Sequence, residues 1–548
     1  MGLTGLDLLV IAIYGAVLLG LALFVSREPA GETKGTEDYF LAGKALPWWA
    51  IGASLIAANI SAEQIIGQSG QGFVVGVAIA AYELQAALVL IIVAKFFLPI
   101  FLKRGIYTMP QFLDQRYGGG VKSLMSVYWI ALYTAVNLTT VLWLGGLAVS
   151  AVSGISVLPA MFGLAAFAVV YSIYGGLKAV ALTDIIQVVV LIVGGLIITW
   201  LALDLVANGA GPLAGFSRLT QEVPGHFEMI LNRDHPNYED LPGIWTLLGG
   251  LWVLHFSYWG FNQYIIQRAL GAESLAEAQT GLAFAAFLKL FIPVIVVVPG
   301  IAALILARDG VLPLDELTAR SDRTYGVLMG LLPAGLKGVV FAALIAAVVS
   351  SLASMMNSIS TIFTMDVYRA FAPNRDEQHY VTIGRATSLT AMAIALVLAK
   401  PFLGGFESAF QTVQEYTGFI APGVVAIFLL GFFDKRANTA GAFAVLVGSV
   451  AVSLFFWSLA NPAALGGIGG GFLGAMGLDA LAMPFVVRIW FVFLICVAAG
   501  LVVSRVTPAP REDQPVRRGD IGFGTTITFN VLAIAAIALL ALVYVVFW

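Results

Sequence analysis

The chain has 548 residues, of which 60% are hydrophobic and 11% are charged, and its formal net charge is −3. Soluble proteins average about 45–50% apolar and about 25% charged residues, so this composition excludes an ordinary soluble domain and gives no support to nucleic-acid binding. Cys496 is the single cysteine, which excludes disulfides within the chain. The sequence also lacks clusters with metal-ligand spacing and Walker-type phosphate loops, so we expect no cofactor and no enzyme.

Apolar runs of about 20 residues, each able to cross a hydrocarbon core of about 30 Å, recur along the chain. They predict an all-α polytopic membrane protein with about 14 transmembrane helices. The first run has no basic region before it and no small-residue cleavage site, which indicates a retained span rather than a signal peptide. The predicted spans are 5–25, 47–67, 73–101, 121–153, 156–174, 180–206, 243–268, 279–308, 337–368, 380–402, 406–433, 439–461, 485–507 and 524–547.

The charges of the loops predict the orientation. Basic residues such as Arg104, Arg369 and Arg436 fall on one side, whereas the loops at 207–242 and 309–336 fall on the other side and lean acidic. Because the basic side of a membrane protein is cytoplasmic, we expect a multi-pass protein of the cell (inner) membrane with both termini extracellular or periplasmic.

A polar stretch, AANISAEQ at 57–64, interrupts the second apolar run. An unsatisfied polar group facing lipid costs several kcal/mol, so these residues must face protein or a cavity. Ser61 and Gln64 have the spacing of a capping box, in which the serine caps the helix and the glutamine returns to its N–H. A helix start inside a span predicts a broken helix, whose free carbonyl and N–H groups suit an ion and a polar solute.

Polar residues of several spans share one depth. At 1.5 Å per residue, Glu83 and Lys289 both lie roughly 15 Å into their spans, and the same layer contains Gln64, Ser350, Ser351 and Gln414. Buried ionisable residues in a span indicate function by default. The alternative is a structural Glu–Lys pair or polar contacts between helices; the common depth favours a site.

Ala347, Ser350 and Ser351 are spaced i, i+3, i+4 and share one helix face. Two hydroxyls suit a hard cation, and carbonyls freed near Ala57 and Ile60 would complete a sodium-type site. The alternative is that small residues allow close packing and that the serines bond to their own helix.

The run 249–268 is a second interruption. Tyr258 and Trp259 can present a flat apolar face to a sugar ring while amides and carboxylates bond its hydroxyls; an interfacial aromatic belt is the alternative. His255 is either a satisfied core histidine or a substrate contact.

Two interrupted helices, each opening a group of five spans, predict an inverted repeat with a site at its interface. The resulting organisation is a first peripheral helix and cytoplasmic loop (1–46), repeat 1 (47–206), an extracellular loop (207–242), repeat 2 (243–435) and peripheral C-terminal helices (436–548).

Long segments from residue 38 to about 435 match a known family: SLIAANISAEQ (54–64), YSIYGGLKAV (171–180), YWGFNQYIIQR (258–268), VSSLASMMNS (349–358) and QEYTG (414–418). In these the sequence resembles the sodium/solute symporter family, in particular its sugar-transporting members. The resemblance implies a five-plus-five inverted repeat of the leucine-transporter type, alternating access, and inward sugar transport driven by sodium.

The resemblance also implies site residues. Substrate contacts would be Gln64, Glu83, Asn137, His255, Tyr258, Lys289 and Gln414. Gates would be Gln68, Tyr82, Tyr258, Trp259 and Phe410, with Tyr258 as the inner gate and Asn137 bonding that gate or the sugar. Sodium would bind the carbonyls of Ala57, Ile60 and Ala347 and the hydroxyls of Ser350 and Ser351. Asp184 matches a position implicated in sodium release; a surface ion pair with Lys178 is the alternative.

Three departures from the family pattern concern the site. His255 stands for an asparagine, Ala86 for a serine and Gln68 for a methionine. These changes leave the identity of the sugar open, though not the sugar class.

We therefore predict a sodium-coupled symporter of a neutral, galactose- or glucose-like monosaccharide. The alternative is a family member for myo-inositol, sialic acid, proline or pantothenate. An anionic solute should call for an arginine near the first break. The basic group predicted at the site is Lys289, which has Glu83 as a counter-charge, so a neutral polyol fits better. A sensor would need a cytoplasmic signalling domain, and a channel a continuous polar stripe. We expect one sodium per sugar and a monomer competent for transport, with a dimer left open.

Overall fold

The computed structural model describes residues 2–25, 41–404, 409–461, 481–511, 514, 516, 519 and 521–548. The first half of the described chain contains eleven helices. They are α1 (Gly5–Val25), α2 (Trp48–Asn59), α3 (Glu63–Val74), α4 (Val77–Lys103), α5 (Met109–Tyr117), α6 (Gly119–Ser153), α7 (Val157–Val206), α8 (Pro212–Glu222), α9 (Ile244–Leu248), α10 (residues 250–260) and α11 (Gln263–Leu270).

The remaining helices are α12 (Leu275–Arg308), α13 (Leu314–Ala319), α14 (Thr324–Gly330), α15 (Leu336–Phe371), α16 (Glu377–Leu403), α17 (Ala409–Thr417), α18 (Ala421–Phe433), α19 (Thr439–Ala460), α20 (Phe485–Val506) and α21 (Ile527–Val546). Among the described residues, the only β-type pairing is an isolated bridge between Leu46 and Ala272.

The helices are long and apolar enough for a membrane protein. Within the described ranges, nine can each cross a bilayer, and the number is eleven when each of two bent pairs counts as one span. The prediction of an all-helical, multi-pass membrane protein is confirmed. The number of about 14 spans stays a prediction.

Side-chain caps begin several of these helices. Ser274 accepts a hydrogen bond from the N–H of Glu277 at the start of α12, and Asn438 accepts one from Gly441 at the start of α19. Thr108 and Gln111 form a complete capping box at the start of α5. Such caps satisfy N–H groups that have no partner inside the helix.

The predicted break in the second apolar run is present. Helices α2 and α3 meet at an angle of 56°. Ile60 still donates its N–H to Ile56, but its backbone leaves the helical region, and the N–H of Ser61 turns back to the carbonyl of Asn59 at 2.7 Å. A second bent pair, α17 and α18, meets at 43°.

Helix α7 differs from the prediction. The apolar runs predict two spans, at 156–174 and 180–206, whereas the backbone is helical throughout Val157–Val206. The connecting sequence contains no proline, and a glycine costs a helix only about 1 kcal/mol relative to alanine. The apolar pattern alone therefore does not reveal that the helix continues.

The broken pair α2 and α3 lies inside the bundle. Helix α12 packs along α2 and α4, and α15 packs against both α7 and α1. Most of α15 is buried, including Ser350 and Ser351, which are fully inaccessible. The two halves of the broken helix therefore end among protein rather than in lipid.

Helix α1 is attached to α15 by a charged cap. One carboxylate oxygen of Asp7 accepts hydrogen bonds from the N–H groups of Gly335 and Gly338, both at 2.8 Å, and the other accepts from Thr4. A carboxylate at a helix N-terminus satisfies free N–H groups and complements the helix dipole.

Removing this cap should weaken the fold. We expect Asp7→Ala to lower the free energy of unfolding by about 1–2 kcal/mol, measured by thermal unfolding in detergent, with Asp7→Asn losing less because the amide oxygen still accepts. Equal stability of the alanine variant and the parent would contradict this role.

Candidate functional site

A cavity lies beside the break between α2 and α3. Every predicted substrate and gate position contributes to its wall: Gln64, Gln68, Tyr82, Glu83, Asn137, His255, Tyr258, Trp259, Lys289, Phe410 and Gln414. These residues come from helices far apart in the sequence, so the fold brings them together. Asn59 and Glu63, from the break itself, also line the cavity.

A continuous chain of polar contacts crosses this cavity. The amide of Gln68 donates to one oxygen of Glu83 at 2.6 Å, and the Lys289 ammonium group bonds the other oxygen. Lys289 also donates to the side-chain oxygen of Asn59, whose amide nitrogen lies 3.3 Å from the Tyr258 hydroxyl. Five side chains on five helices thus form one network.

The Glu83–Lys289 ion pair compensates both of its charges at the centre of the site, while Glu63 of the cavity wall keeps one carboxylate oxygen without a partner among the described residues. Both residues of the ion pair are only 1% exposed, and an unpaired charge at this depth would cost several kcal/mol. The Lys289 nitrogen also lies 4.9 Å from the centroid of the Trp259 ring, a cation–π contact. Lys289 is the only lysine or arginine among the described residues of the cavity wall, and its charge is already compensated.

The break orients Gln64 toward the cavity. Its side-chain oxygen accepts from the N–H of Ser61 at 3.2 Å and from the Ser61 hydroxyl at 2.9 Å. The glutamine therefore returns to Ser61 as predicted, but the serine oxygen accepts from the N–H of Glu63, at 3.1 Å. With its oxygen engaged, the Gln64 amide nitrogen is the group left for a ligand.

The other side of the same break faces α15. The Ser351 hydroxyl donates to the carbonyl of Ala58 at 3.2 Å, so α15 contacts the end of α2 directly. Ala57, Ile60 and Ala347 are each at most 2% exposed. The structure thus brings one predicted hydroxyl ligand to a carbonyl of the break, and the sodium assignment itself stays a prediction.

Ser350, the other predicted hydroxyl ligand, has a different partner. Its hydroxyl bonds the carboxylate of Asp184, whose second oxygen accepts from Ser54 at 2.6 Å and lies 3.3 Å from Arg268. Asp184 is fully buried. The alternative of a surface ion pair for Asp184 is therefore wrong, because its charge is compensated inside the bundle by Arg268.

Sequence reasoning missed this role of Arg268. The guanidinium also donates to Ser354 at 2.6 Å and to the carbonyl of Tyr264 at 2.5 Å. The sequence feature that could have indicated this role is the position of Arg268 at the end of the polar, interrupted run 249–268. Its partner could not be found from depth alone, because a partner depends on how two helices are rotated toward each other.

Two predicted contacts have polar atoms without a partner among the described residues. These are the side-chain oxygen of Asn137 and the Nε2 atom of His255. Buried polar atoms are almost always satisfied, so both suit the hydroxyls of a ligand. The Tyr258 hydroxyl is bonded by Asn59, and no contact between Asn137 and Tyr258 is among the described hydrogen bonds. Ala86 is buried away from the cavity wall.

Aromatic pairs bound the cavity. Tyr82 and Phe410 meet edge to face with ring centroids 5.3 Å apart, and Tyr258 and Trp259 do so at 5.0 Å. Both predicted gate regions therefore offer flat apolar surfaces next to polar groups, which is the combination that a sugar ring requires.

Comparison with known proteins decides the family. The profile described as Sodium:solute symporter family matches residues 39–448. The chain belongs to this family. It is a family of transporters rather than enzymes, so the predicted family and the absence of an enzymatic activity are confirmed.

The relatives extend over most of the chain. It is 46% identical over 559 aligned positions to a sodium/glucose cotransporter of Vibrio parahaemolyticus, covering 100% of this chain and 99% of that protein. It is 31% identical to the Homo sapiens sodium/myo-inositol cotransporter 2, covering 83% and 70%. A solved structure of a Na+-coupled sialic acid symporter matches with a TM-score of 0.77 at 19% identity, covering 93% of this chain and 99% of that chain. This structural match shows the fold alone.

The ion pair at the centre of the site should dominate its stability. We expect Lys289→Met to lower the free energy of unfolding by about 3–5 kcal/mol, because Glu83 then stays buried without a counter-charge. The double variant with Glu83→Gln should recover much of that loss. Chemical denaturation in detergent measures both, and a double variant as unstable as the single one would contradict the pairing.

Proposed function

We propose that the protein carries a neutral monosaccharide into the cell together with sodium, by alternating access. The observation that carries the proposal is that the two sides of one helix break face two different sites. Its Gln64 side turns toward a polar cavity whose one lysine is paired with Glu83, and its Ala58 side meets the Ser351 hydroxyl of α15. The relationship to a sodium/glucose cotransporter over the full chain supports the same function.

In this proposal the sugar hydroxyls bond Gln64, Glu83, Asn137, His255, Lys289 and Gln414. Tyr258 and Trp259 form the inner gate, and Gln68, Tyr82 and Phe410 form the outer one. Sodium takes the carbonyls of Ala57, Ile60 and Ala347 and the hydroxyls of Ser350 and Ser351, and Asp184 assists its release. Sodium is the coupling ion, and the site needs no cofactor.

Coupling follows from shared structure. Sodium between α2 and α15 would fix the end of α2, and the same break presents Gln64 to the sugar. Each ligand then favours the arrangement that the other binds. By linkage, sodium must tighten sugar binding by the same factor as sugar tightens sodium binding.

The architecture that we propose has about 14 spans and a leucine-transporter-type inverted repeat with the boundaries 47–206 and 243–435. The broken pair α2 and α3 at the start of the first repeat and the interrupted α9 and α10 at the start of the second support it. Residues 1–46 form a peripheral helix and a cytoplasmic loop, 207–242 an extracellular loop, and 436–548 the peripheral C-terminal helices. We place the protein in the cell (inner) membrane with both termini outside and the monomer as the transporting unit.

The second candidate substrate is myo-inositol, another neutral polyol. It is favoured over sialic acid, proline or pantothenate because the one lysine of the described cavity wall is neutralised by Glu83. A solute with a carboxylate would need a free cation. Competition of galactose, glucose, mannose and myo-inositol against labelled uptake distinguishes these candidates.

Sugar uptake should require sodium. In proteoliposomes with an inward sodium gradient we expect accumulation of labelled sugar, which should fall by about tenfold or more when choline replaces sodium, since coupling energies of 1–3 kcal/mol correspond to about 5–150-fold. Undiminished uptake in choline would refute the coupling. Counter-flow of labelled sugar separates a carrier from a channel.

The two sides of the break should be separable by mutation. Ser351→Ala should raise the sodium concentration needed for half-maximal uptake by about tenfold and change sugar affinity at saturating sodium little, since it removes a cation ligand. Gln64→Ala should instead weaken sugar binding and change the sodium concentration for half-maximal uptake little, because the amide nitrogen that bonds the sugar is lost. Sodium-dependent uptake kinetics measure both, and identical effects of the two variants would count against separate roles.

A further inference from the structure

We propose that Arg488, on α20 in the C-terminal segment, is a positioning residue for the substrate site. It holds the half-helix α17, which carries Gln414 and Phe410, through an ion pair with Glu415. The proposal rests on the proposed function, because it assigns a residue that sets sugar affinity from outside both proposed repeats.

Helix α17 has two distinct faces. Phe410 and Gln414, spaced i, i+4, share a face and line the cavity. Glu415, on another face, and Gly418, just past the end of the helix, contact α20. The Arg488 guanidinium lies 2.5 Å from a Glu415 oxygen, with side chains 3% and 31% exposed, respectively.

The first turn of α20 fits closely against two interruptions of the second proposed repeat. A Cβ atom on Gly250 would lie 2.0 Å from the carbonyl oxygen of Val486, and one on Gly418 would lie 2.6 Å from the side chain of Ile489. At Gly250 only glycine permits the approach, because the neighbouring atom is backbone, whereas at Gly418 a larger residue would have to displace the Ile489 side chain. The start of α20 therefore contacts both the beginning of α10 and the bend between α17 and α18.

A short half-helix depends on such contacts for its position. Helix α17 has nine residues, and isolated helices shorter than about 12–15 residues are marginal even in favourable sequences. Arg488 is almost inaccessible, so the ion pair is poorly screened by solvent. Breaking it should let α17 shift at the 43° bend and withdraw Gln414 and Phe410 from the sugar.

Sodium binding should not depend on this contact. The predicted sodium ligands lie on α2 and α15, neither of which carries Arg488 or Glu415. A loss of sugar affinity without a loss of sodium affinity therefore separates positioning from a general weakening of the fold.

The test compares Glu415→Gln and Arg488→Lys with a more exposed ion pair that also involves α20. Asp434 and Arg505, 2.7 Å apart, form an ion pair at the other end of α20.

In purified full-length protein, we expect Glu415→Gln to raise the dissociation constant for sugar about tenfold, the size of a lost charge-assisted hydrogen bond. Arg488→Lys, which keeps the charge, should lose less, and Arg505→Ala should leave sugar affinity within twofold of the parent. Half-saturation by sodium without sugar should stay unchanged in all variants.

A charge exchange and a labelling experiment complete the test. Arg488→Glu combined with Glu415→Arg should restore sugar affinity relative to Arg488→Glu alone. In a Cys496→Ser background with Thr417→Cys, a maleimide should react several-fold faster when Glu415→Gln is added. This rate needs no sugar, so it tests the position of α17 even if the parent protein transports no sugar and the proposed function fails.

The proposal is overturned if Glu415→Gln changes neither sugar affinity nor the labelling rate. It is also overturned if Arg505→Ala has the same effect, or if sugar and sodium affinities fall together with the unfolding temperature. The last result would mean that Arg488 only anchors α20.

Discussion

The contact on which the site depends is the Lys289 ammonium group held between Glu83 and Asn59. A cation inside a membrane bundle must be compensated, and Glu83 provides the charge. Because Glu83 also binds Gln68 and Asn59 also binds Tyr258, the network extends to α3 and α10. The compensation of the Lys289 charge and the hydrogen bond that holds the Tyr258 hydroxyl therefore belong to one network.

The same contact ties the cavity to the break. Asn59 is the last residue of α2, and the next carbonyl toward its N-terminus, that of Ala58, meets the Ser351 hydroxyl. Only a few covalent bonds separate the Asn59 side chain, in the cavity network, from the Ala58 carbonyl, at the contact with α15. A ligand that binds one arrangement of the break more tightly shifts the population toward that arrangement, and so changes the affinity of the second ligand site. Coupling between two ligands here requires no long pathway.

The sequence indicated which residues lie together better than it indicated which of them bond to each other. Glu83 and Lys289 come together because rise per residue fixes depth in any membrane helix. The contacts of Gln68 with Glu83 and of Ser350 with Asp184 depend on helix rotation and packing, which no single-chain pattern encodes. The same holds for Arg268, whose partner lies 84 residues away in sequence, and for α7, where a predicted loop is helical.

The helices that the sequence analysis regards as peripheral are joined to the site by charges rather than by apolar packing alone. Asp7 of α1 caps α15, which carries Ser350 and Ser351. Arg488 of α20 pairs with Glu415 of α17, next to Gln414. An apolar contact between membrane helices gains little over a contact with lipid unless the two surfaces pack closely. A buried charged group adds a further constraint on the register, because any other register leaves it without its partner. These two contacts thus fix the ends of the helices that bear the proposed sodium and sugar ligands.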